Sequence, residues 1–186
     1  MTHTDRRPGA KAMRQDGATL PQPVLLGLLM AKPRHGYELC KEFNRGLSQV
    51  WRLGLGQLYA QLKQLEEAGL VVARDEPQPN RPLRKVYHLT EEGREVFLDW
   101  LQQPTPYLRQ MRVDLMARLY FFRELDLPGL SDLIARQKAV CQAQVERFER
   151  LAAEADDDFR RLVLEFRRGQ VEAALRWLDR CREMLC

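Results

Sequence analysis

Gly56-Gln57-Leu58-Tyr59-Ala60-Gln61-Leu62-Lys63-Gln64-Leu65-Glu66-Glu67-Ala68-Gly69-Leu70 is the stretch whose reading decides the fold. Leu55, Leu58, Leu62 and Leu65 recur at steps of three and four, the period that gathers side chains on one side of an α-helix. This predicts a helix over residues 55–68, with Gln57, Gln61, Lys63 and Gln64 on or beside its other side. Gly69 suits the left-handed position past the last turn, and Leu70 is the hydrophobe that packs back on the helix. Residues 71–74 and 84–89 then read as two strands. Tyr87 and Leu89 alternate with Val86 and His88, which predicts one buried and one more exposed face. Pro77, Pro79 and Pro82 stiffen the intervening loop and are expected to keep it out of the ladder. Thr90 is a good N-cap for the next helix, and Glu91 and Glu92 complement its dipole. A helix followed by a hairpin with basic residues at its tip is the shape of a winged helix-turn-helix, which fits DNA.

Upstream, Pro21 and Pro23 open a segment over residues 24–31 that is apolar nearly all round, as in a buried helix. Pro33 ends it. Residues 36–47 form a second helix with Tyr37, Leu39, Cys40, Phe43 and Leu47 on its apolar faces, and Val50-Trp51 reads as a minor strand. Downstream, the helix after Thr90 runs to about residue 102, and Pro104 and Pro106 mark a boundary. Residues 107–186 read as helix only. Leu108, Met111, Leu115, Leu119 and Phe122 form an unbroken seam of the helix–helix kind. Pro128-Gly129 breaks the chain before a helix over residues 130–153. Asp156, Asp157 and Asp158 suit the start of a third helix, with Phe159, Leu162, Phe166, Ala173, Trp177 and Cys181 on one stripe. Stripes this generous in a small helical region point to a dimer interface. We assign it to Leu108, Met111, Leu115, Leu119, Phe122, Phe166 and Trp177.

The fold class expected is therefore mainly α: a winged helix-turn-helix N-terminal domain plus an α-helical C-terminal dimerisation domain. A disordered basic tail covers residues 1–19, the DNA-binding domain 20–103, and the dimerisation and effector domain 107–186.

With 186 residues, 45% apolar and 30% charged, the chain has the balance of a globular protein. No apolar run approaches the ~20 residues that span a bilayer, so no membrane partner is expected. The N-terminal stretch lacks the apolar core of a signal peptide, and a cytoplasmic location follows as the expectation. The net charge of +4 is modest, but its placement is informative. Arg6, Arg7, Lys11 and Arg14 crowd the tail, and Arg81, Arg84 and Lys85 crowd the hairpin. Cys40, Cys141, Cys181 and Cys186 have no Cys-x-x-Cys spacing and read as small hydrophobes or idle thiols. His3, His35 and His88 are not spaced as metal ligands, and His35 and His88 read as capping or half-buried rings. No nucleophile elbow, phosphate loop or dinucleotide glycine pattern is present, so neither catalysis nor a cofactor is expected.

DNA's major groove admits one helix, and side chains near its N-terminus reach base edges. Gln57 and Gln61 offer the donor–acceptor pair suited to adenine. Lys63 and Gln64 fall farther along, toward phosphate or a flanking base. Gly54 and Gly56 leave backbone amides open to a phosphate, and Arg81, Arg84 and Lys85 would follow the adjacent backbone or minor groove. Glu66 and Glu67 count against phosphate near the end of the helix. They fit the alternative, a helical-dimer module that senses a ligand or docks a protein without binding DNA. Trp51, Trp100, Tyr120, Phe121, Phe122 and Trp177 either pack the core or line a cavity for a small hydrophobic or aromatic effector.

Four blocks in order then carry a resemblance. Val24-Leu25-Leu26-Gly27-Leu28-Leu29, His35-Gly36-Tyr37-Glu38-Leu39, the stretch 56–70, and Lys85-Val86-Tyr87-His88-Leu89-Thr90-Glu91-Glu92-Gly93 resemble the PadR family of bacterial transcriptional regulators. The resemblance covers about residues 23–101. The helical remainder is similar in pattern to the C-terminal domain of the family's larger, virulence-activator-like branch. The resemblance implies a homodimer on a pseudo-palindromic operator, often a repressor released by a small molecule. It further implies that Tyr59 lies near phosphate, that Gln57, Ala60 and Lys63 hold recognition-helix positions, and that Arg84 and Lys85 belong to the wing. The chain departs from the family pattern at Ala60, where proline is usual. It also lacks the usual serine or threonine cap before the helix, where Gly54 can substitute at modest cost.

Overall fold

The computed structural model describes residues 21–78 and 81–186, apart from the side chains of Gln78, Arg81 and Pro82. The basic tail over residues 1–19 lies outside the described residues, as do Pro79 and Asn80. The chain divides into two compact units, at Leu101 and Gln102.

In the first unit, α1 (Gln22–Ala31) carries Pro23 at its start and buries every residue from Pro23 to Leu29. Its all-round apolarity is thus matched by all-round cover. Pro33 ends it, and a strand of two residues follows, β1 (Arg34–His35). The Arg34 guanidinium is buried and donates to the carbonyls of Leu28 and Lys32. α2 (Gly36–Leu47) buries Leu39, Phe43 and Leu47. α3 (Leu55–Glu67) buries Leu58, Leu62 and Leu65, while Leu55 is 42% exposed. The first leucine of the expected seam therefore falls outside it. The end of α3 closes as the sequence predicts. Gly69 has φ 74°, its amide donates to Glu66, and that of Leu70 donates to Leu65. This is a Schellman motif, and it leaves Leu70 fully buried.

The hairpin β2 (Val71–Gln78) and β3 (Arg81–Leu89) leads into α4 (Glu91–Gln102). The sheet is antiparallel with order β1-β3-β2, and β1 covers only Val86 and Tyr87 of β3. Three expectations are corrected here. Residues 50–51 are not a strand: their amides close a turn on Leu47, and the third strand is β1. The ladder also runs beyond Glu76–Arg84 to Gln78–Arg81, with a register irregularity around Pro77. Pro77 is tolerated because β2 is an edge strand and the irregularity absorbs its missing donor. Finally, Tyr87 and Val86 are both buried, at the one place where β3 is paired on both edges, with β1 and with β2. Thr90 caps α4 as expected: its hydroxyl accepts from Gly93 and donates to the Gly69 carbonyl, at 3.0 and 2.9 Å.

The second unit is helical. A single turn, α5 (Leu108–Gln110), runs through a π-helical segment, Met111–Leu115, into α6 (Met116–Glu124). Gly129, at φ 106°, turns the chain into α7 (Leu130–Ala153). Asp157 caps α8 (Asp158–Leu185), its carboxylate accepting from the amides of Phe159 and Arg160. The pairs Lys138–Asp179 and Glu149–Arg168 show that α7 and α8 run antiparallel. A buried polar cluster ties the start of the unit to α7. Gln137 accepts from the Thr105 amide at 2.6 Å and donates to its carbonyl at 2.9 Å. Arg118 donates to the Thr105 hydroxyl at 2.8 Å. Burial, opposed by Asp114, lowers the Arg118 guanidinium to about 10.

The expected seam is not a continuous α-helix, since the π-helical turn interrupts it. Met111, Leu115, Leu119 and Phe122 are buried within the chain itself, and Leu108 is half-buried. The covered stripe of α8 is Leu164, Val171, Leu178 and Cys181. Phe159 and Phe166 lie outside it, 75% and 68% exposed, and Trp177 is half-buried. One helix here bears two apolar stripes where the sequence reading saw one.

Candidate nucleic-acid interface

The outer face of α3 is built by subtraction. Leu58, Leu62 and Leu65 hold the helix to its unit. At about 100° per residue, Gly56, Ala60, Lys63 and Glu67 point the opposite way, and all four are exposed. A Cβ added to Gly56 would meet nothing within 4 Å, so the first turn of α3 is open to a partner's close approach. Tyr59 stands on one flank, 45% exposed. A Cβ on Gly36 would come within 2.5 Å of its ring. Only glycine at the start of α2 leaves the tyrosine this seat.

Gln57 and Gln64 are exposed on the other flank. The Gln57 carbonyl oxygen accepts from the Gly54 amide at 3.4 Å, a back-bond that steadies the first turn. Gln64 accepts from Gln22 of α1 at 2.8 Å. Gln61 is nearer the buried stripe and only half-exposed, so the structure does not group it with Gln57 on the outward face. Lys63 pairs with Glu67 at 3.8 Å.

The wing cations also have partners. Arg84 reaches Glu38 at 3.4 Å, and Lys85 reaches Glu66 at 3.8 Å. Consecutive strand residues point to opposite faces, so one cation ties the wing to α2 and the next ties it to α3. Glu38 also meets the His35 ring at 3.3 Å, and His35 accepts from the Glu38 amide as the cap of α2. The Arg81 side chain is outside the described residues. Its backbone pairs with Gln78 at the end of the hairpin.

Sequence reasoning missed three contributors. Asn44 grips the turn before α3 from both sides: it accepts from the Leu53 amide at 3.1 Å and donates to the Leu53 carbonyl at 3.0 Å. An asparagine one turn before a helix end was the available signal. Arg52 and Arg74 are exposed beside α3 and on β2, with no ion pair among the described residues. Arg74 lies opposite Val86 in the ladder.

Of the aromatics singled out in the sequence, Trp100, Phe121 and Phe122 are buried, while Trp51, Tyr120 and Trp177 are half-buried. Phe43 and Trp51 meet edge to face at 6.2 Å, and Tyr120 and Phe121 at 5.1 Å. All four cysteines are free, with Cys141 and Cys181 buried. Among the described residues no three His, Cys, Asp or Glu gather as metal ligands, and no helix is long and apolar enough to cross a membrane.

Comparison with known proteins places this arrangement. Residues 25–99 match the family described as the transcriptional regulator PadR-like family. Residues 111–185 match the virulence activator alpha C-terminal family. The chain is 30% identical over 137 residues to the negative transcriptional regulator PadR of Bacillus subtilis (strain 168), 72% of this chain and 75% of that one. It is 32% identical over 85 residues to a probable transcriptional regulator of Mycobacterium tuberculosis, 46% of this chain and 44% of the relative. A crystal structure of Bacillus subtilis PadR in complex with operator DNA superposes with a TM-score of 0.45 at 25% identity, covering 88% of this chain and 96% of that one. With both units matched in order and the Bacillus relative spanned over most of its length, this chain belongs to the PadR-like family of transcriptional regulators.

Proposed function

We propose that the chain is a homodimeric DNA-binding repressor that recognises a pseudo-palindromic operator and is released by a small-molecule effector. The observation that carries this is the outward face of α3, with Gly56, Tyr59, Ala60 and Lys63 free of the core and the basic wing beside it. That face enters the major groove. Gln57 and Gln64 read base edges from its flank, and Gln61 has the smaller share because it sits toward the core. Tyr59 and Lys63 meet phosphate. From Leu55 to Glu67 the helix holds one lysine and two glutamates. Phosphate affinity therefore comes from Arg81, Arg84 and Lys85, with the exposed Arg52 and Arg74 as further candidates. The sign of regulation follows the Bacillus relative, named a negative regulator.

A second copy is called for by α8. Phe159, Leu162, Val163 and Phe166 leave an apolar face uncovered, and faces of this kind mark interaction sites. We place the dimer contact there, with Phe166 and Trp177 as its anchors. Leu108, Met111, Leu115, Leu119 and Phe122 act by packing the scaffold behind it. A small hydrophobic or aromatic effector bound in the helical unit would shift the population between DNA-competent and released forms. The setting is the cytoplasm, and no catalytic step is part of the account.

The test is a mobility shift with the intergenic DNA beside the gene. Binding that weakens by about 10³-fold or more between 50 and 200 mM salt is expected for six or more phosphate contacts. A protein that ignores both this DNA and heparin at low salt, yet binds an apolar dye in fixed stoichiometry, would establish the non-DNA alternative instead.

A further inference from the structure

The helical unit holds a concavity of about 810 Å³, within the size range of small-ligand sites. Arg109, Arg112 and Arg167 line it, together with Tyr107, Phe148 and Val171. No aspartate or glutamate is among its lining residues. None of the three arginines has an ion pair among the described residues. We propose that this concavity binds a small organic anion carrying at least two negative charges. The site deepens the effector reading by giving the ligand charge in place of a purely apolar character, and rests on that reading only in regarding the ligand as a regulator.

The geometry favours an anion over an apolar guest. The Arg109 guanidinium lies over the Tyr107 ring at 5.5 Å, and that of Arg167 lies over Phe148 at 4.7 Å. A guanidinium held over a ring keeps five N–H donors in one planar fork, and those turned away from the ring stay available. That edge is the fork that takes a carboxylate or phosphate in bidentate fashion. The Phe148 ring, buried and met by the Arg167 guanidinium, offers an uncharged aromatic ligand little surface to stack on. Three uncompensated positive charges make a single carboxylate a poor match and a dianion a good one. Arg112 supplies an independent indication, since it stands on the π-helical turn Met111–Leu115. Such turns inside helices are frequently found at functional sites. Gln144 lines the same concavity and donates to the Pro106 carbonyl at 2.6 Å. A ligand there would touch the clamp that holds the start of the helical unit.

The test is calorimetric titration of the full chain, without DNA, with phenyl phosphate, isophthalate, benzoate and benzyl alcohol. Saturable binding of phenyl phosphate or isophthalate at least about tenfold tighter than benzoate is expected, with no heat from the alcohol. The stronger of the two dianions identifies the ligand class as phosphate ester or dicarboxylate. Arg112→Gln with Arg167→Gln should weaken that binding at least about tenfold. Arg109→Gln, made separately, should also weaken it should the double variant fail to fold. The proposal is overturned if neither dianion binds by about 10 mM, where affinities fall below those of specific sites. It is equally overturned if benzoate or the alcohol binds as tightly, or if folded variants bind unchanged. DNA binding is read in parallel by mobility shift. Absence of DNA binding by the anion-free chain, with anion binding intact, removes the repressor reading, while intact DNA binding with no anion bound removes this site alone.

Discussion

Glu38 touches His35 through one helical turn and Arg84 across the fold, and Glu66 does the same for Lys85. These surface pairs are each worth roughly 0–1 kcal/mol. They hold two wing cations against α2 and α3, and their proposed use is to present those cations to DNA. Substituting Arg84→Ala together with Lys85→Ala should therefore barely move the melting temperature. In anisotropy titrations it should weaken DNA binding on all sequences and flatten the logarithmic salt slope by about two. An unchanged slope would mean these cations never reach phosphate. Gly36→Ala is a more local probe. The new methyl needs the space of the Tyr59 ring, 2.5 Å away, and the ring is free enough to swing aside. Little change in stability but weaker DNA binding is expected from a thermal melt and an anisotropy titration run side by side. The exposed position of Lys63 on the helix and the place of Arg84 in the hairpin were legible from residue type and spacing, while Tyr59 entered through the family resemblance. The pairings of Glu38 and Glu66 were not, because Arg84 and Lys85 lie on a different element and only the fold brings them together.

At the scale of elements, α3 and its C-terminal turn were readable almost residue by residue. The leucine period, Gly69 and Leu70 all specify the same local structure, and agreement across levels makes a segment legible. Leu62 is fully buried at the centre of this stripe. Leu62→Ala should cost about 2–5 kcal/mol in chemical denaturation. Gly93 is a second fixed point. A Cβ there would sit 2.1 Å from the Leu70 carbonyl oxygen, which is backbone and cannot swing away. Gly93→Ala should lower stability by about 1–3 kcal/mol or more, and a melt within a degree of wild type would refute the close packing of α4 on the end of α3. β1 escaped the sequence reading because two residues carry no period. The hairpin's extra length escaped because Pro77 signals a break unless the strand is known to be an edge.

At the scale of the molecule, the two stripes of α8 explain why the helical unit was harder to read. Hydrophobic periodicity reports that a face must be covered, not whether the cover comes from the same chain. Leu164, Val171 and Leu178 are covered within the chain, while Phe159, Leu162 and Phe166 are not. Phe166→Asp should leave the monomer folded by circular dichroism while shifting sedimentation toward monomer. A monomer that binds only half an operator should lose most of its affinity. The interrupted seam over residues 108–122 was equally hidden, since a π-helical turn keeps the apolar spacing while changing the hydrogen-bond pattern.

In the proposed complex, two copies of α3 enter successive major grooves on one side of an operator. Hydroxyl-radical footprinting on the intergenic DNA beside the gene tests it most directly. Two protected patches related by two-fold symmetry are expected, with centres about 10–10.5 base pairs apart or a multiple of that, both lost together in the Phe166→Asp protein at concentrations where wild type protects. A single unsymmetrical patch, or no protection at low salt, would contradict it.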